Sequence, residues 1–374
     1  MSRFFELVSR QVREMGGYAQ SPPPGPGNGQ RQLIRLDSNE NPFGPSPKAV
    51  EAMRRTLAMT SAYPDDDCTE LRRKLACLHE IPPEQVLVTS GSTGMLSLLC
   101  QTLLGPGLNA VTSERSFIVY GMAVHAAGAQ VVTVHAREDG LDLDAMLETI
   151  NEDTRLVFVA NPNNPTGTLH DAAAIDKFLN DAPGHVVIVL DEAYYEFAAD
   201  FAVRRKVEYS RSIEYVKQGA SVVVLRTFSK VHGLAGLRIG YGMGPAELLS
   251  YCTRMRSTFS VSSIAQAAAF AALDDRAHMA HTILNNSEQA QILGVALSEM
   301  GFRVVPTWAN FLYCDLGREA GEIAEKLRGQ GISVRPLGGW GAASCMRVSI
   351  GTAAQNNAFL GAMLKVWRSP ALSK

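Results

Sequence analysis

The sequence predicts an α/β fold, in which a large domain with a mostly parallel sheet covered by helices is joined to a smaller α+β domain. Three observations carry this reading. Short apolar, β-branched runs recur between about residues 62 and 265. Helix-like stretches separate most of them. Beyond about residue 270 the alternation gives way to short strands grouped around two helices. Strands that are apolar throughout need cover on both faces, and intervening helices supply it.

Taken in chain order, Ser21-Pro22-Pro23-Pro24-Gly25-Pro26-Gly27-Asn28-Gly29 holds neither helix nor ladder and reads as an extended or mobile loop. Candidate strands follow at 86–90, 109–113, 130–135, 155–160, 186–190, 221–226 and 238–242. Each is bounded by polar, Gly or Pro residues. Met95, Leu96, Leu98, Leu99 and Leu103 recur at helical spacing. In the last third, 302–305 and 311–314 read as strands around a turn and 319–329 as a helix. Residues 332–335 and 346–350 read as strands, and 353–367 as a closing helix. The expected division is a large domain over 62–265, with 1–61 and 266–374 forming an N-terminal arm and the small domain.

Composition narrows the function. The 374 residues carry a net charge of −2, which gives no reason to expect nucleic acid or an anionic membrane as partner. No run of 18 apolar residues is present, and Met1-Ser2-Arg3-Phe4-Phe5-Glu6 lacks the continuous apolar core of a secretory signal. Cys68, Cys77, Cys100, Cys252, Cys314 and Cys345 are scattered without C-x-x-C spacing. That argues against a zinc or other metal site and against a disulfide framework, and for reduced thiols in a cytoplasm.

Four segments carry chemistry, each at the carboxyl end of a predicted strand, where open α/β sheets form their ligand crevice. Thr89-Ser90-Gly91-Ser92-Thr93-Gly94 opens a helix, and free N–H groups and hydroxyls there suit an anion. Alone it reads first as an ordinary helix cap. Asn161-Pro162-Asn163-Asn164-Pro165-Thr166-Gly167 is a turn, with Asn164 as the amide to present to a ligand. Asp191-Glu192-Ala193-Tyr194-Tyr195 puts a carboxylate at a buried strand end, which is costly without a cationic partner. Thr227-Phe228-Ser229-Lys230, with Arg238 eight positions on, joins an imine-forming lysine to anion donors. Burial or nearby cations favour the neutral amine that such chemistry needs. Lysine, anion grip and a carboxylate for a ring nitrogen together are what pyridoxal phosphate requires.

These motifs, with Leu36-Asp37-Ser38-Asn39-Glu40-Asn41-Pro42 and Met346-Arg347-Val348-Ser349, make the chain resemble the fold-type-I, pyridoxal-phosphate-dependent aminotransferases, in particular the histidinol-phosphate aminotransferase family. The resemblance runs from about residue 12 to 367. It implies that Lys230 bonds the cofactor and later shuttles the substrate's proton, and that Asp191 pairs with the pyridinium. By the same resemblance Tyr194 and Asn164 hold the phenolate oxygen, Ser92, Thr93, Thr227, Ser229 and Arg238 grip the phosphate, and Phe117 stacks on the ring. Tyr63 would reach the cofactor phosphate of a partner subunit, which implies a homodimer with shared active sites.

For substrate, the resemblance implies Tyr18 at a substrate phosphate and Asn39 lining the pocket. Arg335 and Arg347, on two predicted strands of the small domain, suit a phosphate or a carboxylate. The implied reaction moves an amino group between L-histidinol phosphate and 2-oxoglutarate, giving glutamate, in histidine biosynthesis. Gly17, where the family has proline before its tyrosine, and Gly94, where many relatives carry an acidic residue, depart from the pattern. Alternatives at this point are an aromatic or broad-range aminotransferase, a threonine-phosphate decarboxylase, or a cofactor-binding domain without turnover. A nicotinamide-dependent dehydrogenase is disfavoured, because no G-x-G-x-x-G opens a helix after a strand.

Overall fold

A computed structural model describes residues 4–14 and 33–368. Tyr18 and the Pro/Gly-rich stretch 21–29 lie outside the described residues. In chain order the strands are β1 (Ile34–Arg35), β2 (Val86–Thr89), β3 (Asn109–Ser113), β4 (Gln130–Val134), β5 (Thr154–Ala160), β6 (Val187–Asp191), β7 (Val222–Thr227) and β8 (Gly240–Met243). They continue with β9 (Arg303–Val305), β10 (Phe311–Asp315), β11 (Ile332–Ser333), β12 (Arg335–Leu337) and β13 (Ala342–Ser349).

Seven strands form the larger sheet in the order β2-β8-β7-β6-β5-β3-β4. Neighbours pair in parallel except β8, which runs antiparallel to both β2 and β7. Alternation along each strand divides the core between two faces. Val157, Val159, Val222 and Val224 pack into one cluster. Leu156, Phe158, Val223 and Leu225 pack into the other. The helix Gly91–Leu103 covers the second face with Met95, Leu96, Leu98 and Leu99.

Two features of this topology place the site. The chain leaves β3 toward β4 and then returns to lay β5 on the other side of β3, so the loops after β3 and β5 part around a crevice. The loops after β6 and β7 end at the same edge. Because β8 is reversed, the residues just before it, including Arg238, are delivered to that edge as well.

The smaller sheet, in the order β12-β13-β10-β9, is antiparallel. Its core joins Leu312, Met346 and Val348 to Leu293, Leu327 and Phe359 on helices Arg276–Glu299, Ala320–Gly329 and Ala353–Trp367. Phe359 is fully buried. Truncating it to Ala is expected to cost about 3–5 kcal/mol. Thr352 and Gln355 form a reciprocal capping box at the start of the last helix.

The single strand expected over 332–335 is two. β11 pairs with β1 in parallel, and β12 turns to pair with β13. The strand expected from 346 starts earlier, at Ala342. Helix Pro47–Thr56 packs along helix Ser263–Ala272 over the larger sheet's core, where Ala49 is fully buried.

Candidate active site

A cavity of about 270 Å³ lies at the carboxyl edge of the larger sheet, roofed by the smaller one. Ser92 and Thr93 enter it from the first turn of helix Gly91–Leu103, where unpaired N–H groups concentrate positive potential. Arg238 faces them, with Nη2 3.5 Å from Thr93 Oγ1. Thr227 Oγ1 donates to Ser229 Oγ at 2.9 Å and accepts from the Ser229 N–H at 3.0 Å, which aims both hydroxyls at the same corner. Closeness of backbone makes this cradle. A Cβ on Gly240 would lie 2.6 Å from the Ser92 nitrogen, and one on Gly91, at φ 74°, 2.6 Å from Arg238 Nη2.

Lys230 lies in the same cavity, its Nζ 3.3 Å from the Ser38 carbonyl oxygen. Burial lowers its pKa to about 7, reinforced by Arg347 and Arg238 and opposed by Glu40 and Asp191. A large fraction of the amine is therefore neutral, and nucleophilic, near neutral pH.

Asp191 ends β6 and is nearly fully buried. It accepts from Tyr120 Oη at 2.8 Å and from the Ala193 N–H at 3.1 Å. Burial raises its pKa to about 6 despite those bonds. A carboxylate held so awaits a positive partner. The adjacent Glu192 points away and forms a buried ion pair with Arg226 at 2.8 Å, tying the end of β6 to β7. Breaking such a pair by removing one partner costs about 3–5 kcal/mol.

The loop after β5 is braced by its other asparagines. Asn161 Nδ2 donates to the His170 carbonyl at 2.9 Å, and Asn163 Nδ2 to the Arg115 carbonyl at 2.6 Å. Asn164 is thereby left facing the cavity. Its Oδ1 accepts from Arg347 Nη1 at 2.6 Å, so its NH₂ is the end available to an acceptor. Phe117 lines the cavity and meets Tyr120 edge-on, with centroids 5.6 Å apart.

The comparisons with known proteins bear on this constellation. Residues 31–363 match the family described as aminotransferase class I and II. The chain belongs to that family. Among relatives, the protein named histidinol-phosphate aminotransferase 2 of Pseudomonas aeruginosa is 42% identical over 98% of this chain and 99% of its own. One of the same name from Methylococcus capsulatus is 40% identical over 90% and 91%. The solved histidinol-phosphate aminotransferase of Sinorhizobium meliloti in complex with pyridoxal-5'-phosphate superposes with a TM-score of 0.82 at 28% identity, covering 90% of this chain and 92% of that one. Thermus thermophilus aspartate aminotransferase with maleate shares the fold, with a TM-score of 0.78 at 24% identity over 89% and 91%.

In this aminotransferase the residues present fit pyridoxal phosphate: a lysine of lowered pKa, an anion cradle at a helix start, a buried carboxylate and a directed amide share one cavity. Arg335 and Arg347 stand directly opposite each other across β12 and β13, and both line that cavity. Arg347 is buried and also donates to the Asp37 carbonyl at 2.7 Å. Asn39 and Tyr194 line the cavity too and bond to each other.

Tyr63 is not among the residues brought together. It is 82% exposed and stacks on Phe259, with centroids 4.5 Å apart. Sequence reasoning missed Tyr120, which lies one helical turn after Phe117. That spacing was the available signal, but its partner Asp191 is distant in sequence. It also missed Ser349, whose contact to Asn39 spans the chain.

Proposed function

We propose that this chain transfers an amino group between L-histidinol phosphate and 2-oxoglutarate, with pyridoxal phosphate held at Lys230. The observation that carries the substrate half is the Arg335–Arg347 pair, which puts two guanidinium groups in the lysine's cavity on strands other than the segments that carry the Arg238 cradle. A phosphorylated amine needs such a second anion site. The names of the relatives support the same substrate.

Bound cofactor supplies an electron sink for the charge left when the substrate's Cα proton departs. The chain's residues do the rest. Ser92, Thr93, Thr227, Ser229 and Arg238 hold the phosphate by charge-assisted bonds. Asp191 offers its buried carboxylate to the ring nitrogen and keeps it protonated. Tyr194 and Asn164 donate to the phenolate oxygen, and Phe117 covers one ring face. Lys230 would bond the cofactor, and its amine would carry the proton at the substrate's Cα as a general base. Arg347 receives either anion, the phosphate of one substrate or a carboxylate of glutamate, and Arg335 adds the second guanidinium for the phosphate.

By the same reading the protein works in the cytoplasm as a homodimer, and Tyr63 reaches the neighbouring subunit's phosphate cradle. Residues 62–265 act as the cofactor-binding domain, with 1–61 and 266–374 as the arm and small domain that complete the pocket. The test is product analysis of the purified protein with histidinol phosphate and 2-oxoglutarate. Glutamate and the phosphorylated ketone are expected in equal amounts. Carbon dioxide release, or glutamate formed only with phenylalanine, would replace this reading.

A further inference from the structure

Asn39 sits between the two sheets. It is buried, with φ 55°, a left-handed conformation that Asn, Asp and Gly accept most readily. Small-domain residues hold it. Asn310 Nδ2 donates to its carbonyl at 3.0 Å. Ser349 Oγ accepts its backbone N–H at 2.8 Å and lies 2.9 Å from its Oδ1. Ser349 Oγ has one proton and two lone pairs; it accepts the backbone N–H on one lone pair and gives its proton to Oδ1, so the oxygen end of the Asn39 amide faces Ser349. Its nitrogen end then points the other way, and Nδ2 donates to Tyr194 Oη at 3.0 Å.

We propose that Asn39 is a positioning residue that sets Tyr194 as a hydrogen-bond donor toward the cofactor. The tyrosine oxygen is an acceptor in the bond from Asn39, so its own proton is not given to Asn39. Tyr194 lines the cavity, with Lys230 Nζ 5.5 Å from its ring centroid. Accepting one bond strengthens the bond a hydroxyl donates, as in other hydrogen-bond chains. The relay runs from Ser349 of the small domain through Asn39 to Tyr194 of the large one. Seating of the small domain thus tunes the group that holds the phenolate. Asn39 acts on the cofactor through Tyr194.

The inference rests on the proposed placement of pyridoxal phosphate at Lys230 with Tyr194 on its phenolate oxygen. A donor there competes with the proton shared between the phenolate and the lysine–cofactor nitrogen, and so lowers the pH at which that proton leaves. Asn39→Asp keeps the shape and the backbone preference but turns a donor into an acceptor, drawing the Tyr194 proton away. Asn39→Gly removes the donor without adding charge and keeps the positive φ.

The experiment titrates the visible absorption of bound cofactor against pH in wild type, both variants, Tyr194→Phe and Asn39→Asp/Tyr194→Phe. Both Asn39 variants are expected to titrate roughly half to one pH unit higher than wild type, the scale of one hydrogen bond. Tyr194→Phe is expected to shift in the same direction, and adding Asn39→Asp to it should shift the midpoint little further. An undiminished shift in the Tyr194→Phe background would mean that the new charge acts directly, and overturns the relay. So does an unmoved midpoint in Asn39→Gly. If Asn39→Asp does not fold, Asn39→Gly and Ser349→Ala, which unlocks the amide, carry the test in the same direction. Failure of the underlying placement is distinguishable, because wild type itself would then show no titrating band on Lys230, and the proposal falls with it.

Discussion

Replacing Asp191 with asparagine should stabilise the cofactor-free protein while crippling the enzyme. Asp191 is 5% exposed, and burial lifts its pKa from 3.8 to about 6. Between those values the folded apoprotein keeps a proton that the unfolded chain has lost. Stability therefore falls as pH rises from about 3.8 to about 6 and stays reduced above. At about 1.4 kcal/mol per unit, the ionised carboxylate costs the apoprotein at most on the order of 3 kcal/mol at neutral pH. The amide removes that cost. Oδ1 can keep the Ala193 N–H, while Nδ2 can only donate to Tyr120 Oη, which reverses that bond and takes away the tyrosine proton's acceptor, so the gain is expected to be smaller than that bound. The assay is urea unfolding of apoprotein at matched concentration, near pH 7.5 and near pH 4. Asp191→Asn is expected to have the higher midpoint at the first pH and a similar one at the second. Saturating pyridoxal phosphate should reverse the order, because only the carboxylate pairs with a ring cation. An apo variant no more stable than wild type near pH 7.5 would refute the claim that this site stores an unpaired charge.

Borohydride treatment of the yellow holoenzyme should fix the cofactor on the Lys230 peptide. Lys230→Ala should keep cofactor through the phosphate cradle yet lose turnover by several orders of magnitude. The pH at which apoprotein captures cofactor should track an amine of pKa about 7 and move upward in Arg347→Met, since that guanidinium helps hold the pKa down. Arg335→Ala should lower kcat/KM for histidinol phosphate by roughly 30-fold or more and that for glutamate much less, while Arg347→Ala lowers both. Mixed dimers of Tyr63→Phe and Lys230→Ala should regain activity, as one of their two sites carries neither lesion. Absent recovery, despite verified exchange and a clear Tyr63→Phe defect, would end the shared-site proposal.

Much of this could be read from residue order because the central strands of the larger sheet carry unbroken apolar runs. Val222-Val223-Val224-Leu225 and Leu156-Val157-Phe158-Val159 leave few alternatives, and chemistry-bearing residues follow them directly. The direction of β8 could not be read. Gly240-Tyr241-Gly242-Met243 looks the same run either way, and only its pairing with β2 and β7 reveals the reversal that delivers Arg238. The split of β11 from β12 was likewise hidden, because it depends on which partner each short piece finds. Within the site, motif residues stood out by type, but their couplings did not. Tyr120 to Asp191, Arg347 to Asn164 and Ser349 to Asn39 to Tyr194 each join positions far apart in the chain. Local patterning carries no record of such bonds.

The most direct measurement is kcat/KM of the purified holoenzyme, with 2-oxoglutarate as acceptor, for L-histidinol phosphate and phenylalanine side by side, in wild type and in Arg335→Ala. The account predicts that wild type prefers histidinol phosphate and that the substitution erases most of that preference while leaving phenylalanine nearly unchanged. A wild-type preference for phenylalanine, with histidinol phosphate untouched by Arg335→Ala, would contradict it and make the protein an aromatic amino-acid aminotransferase.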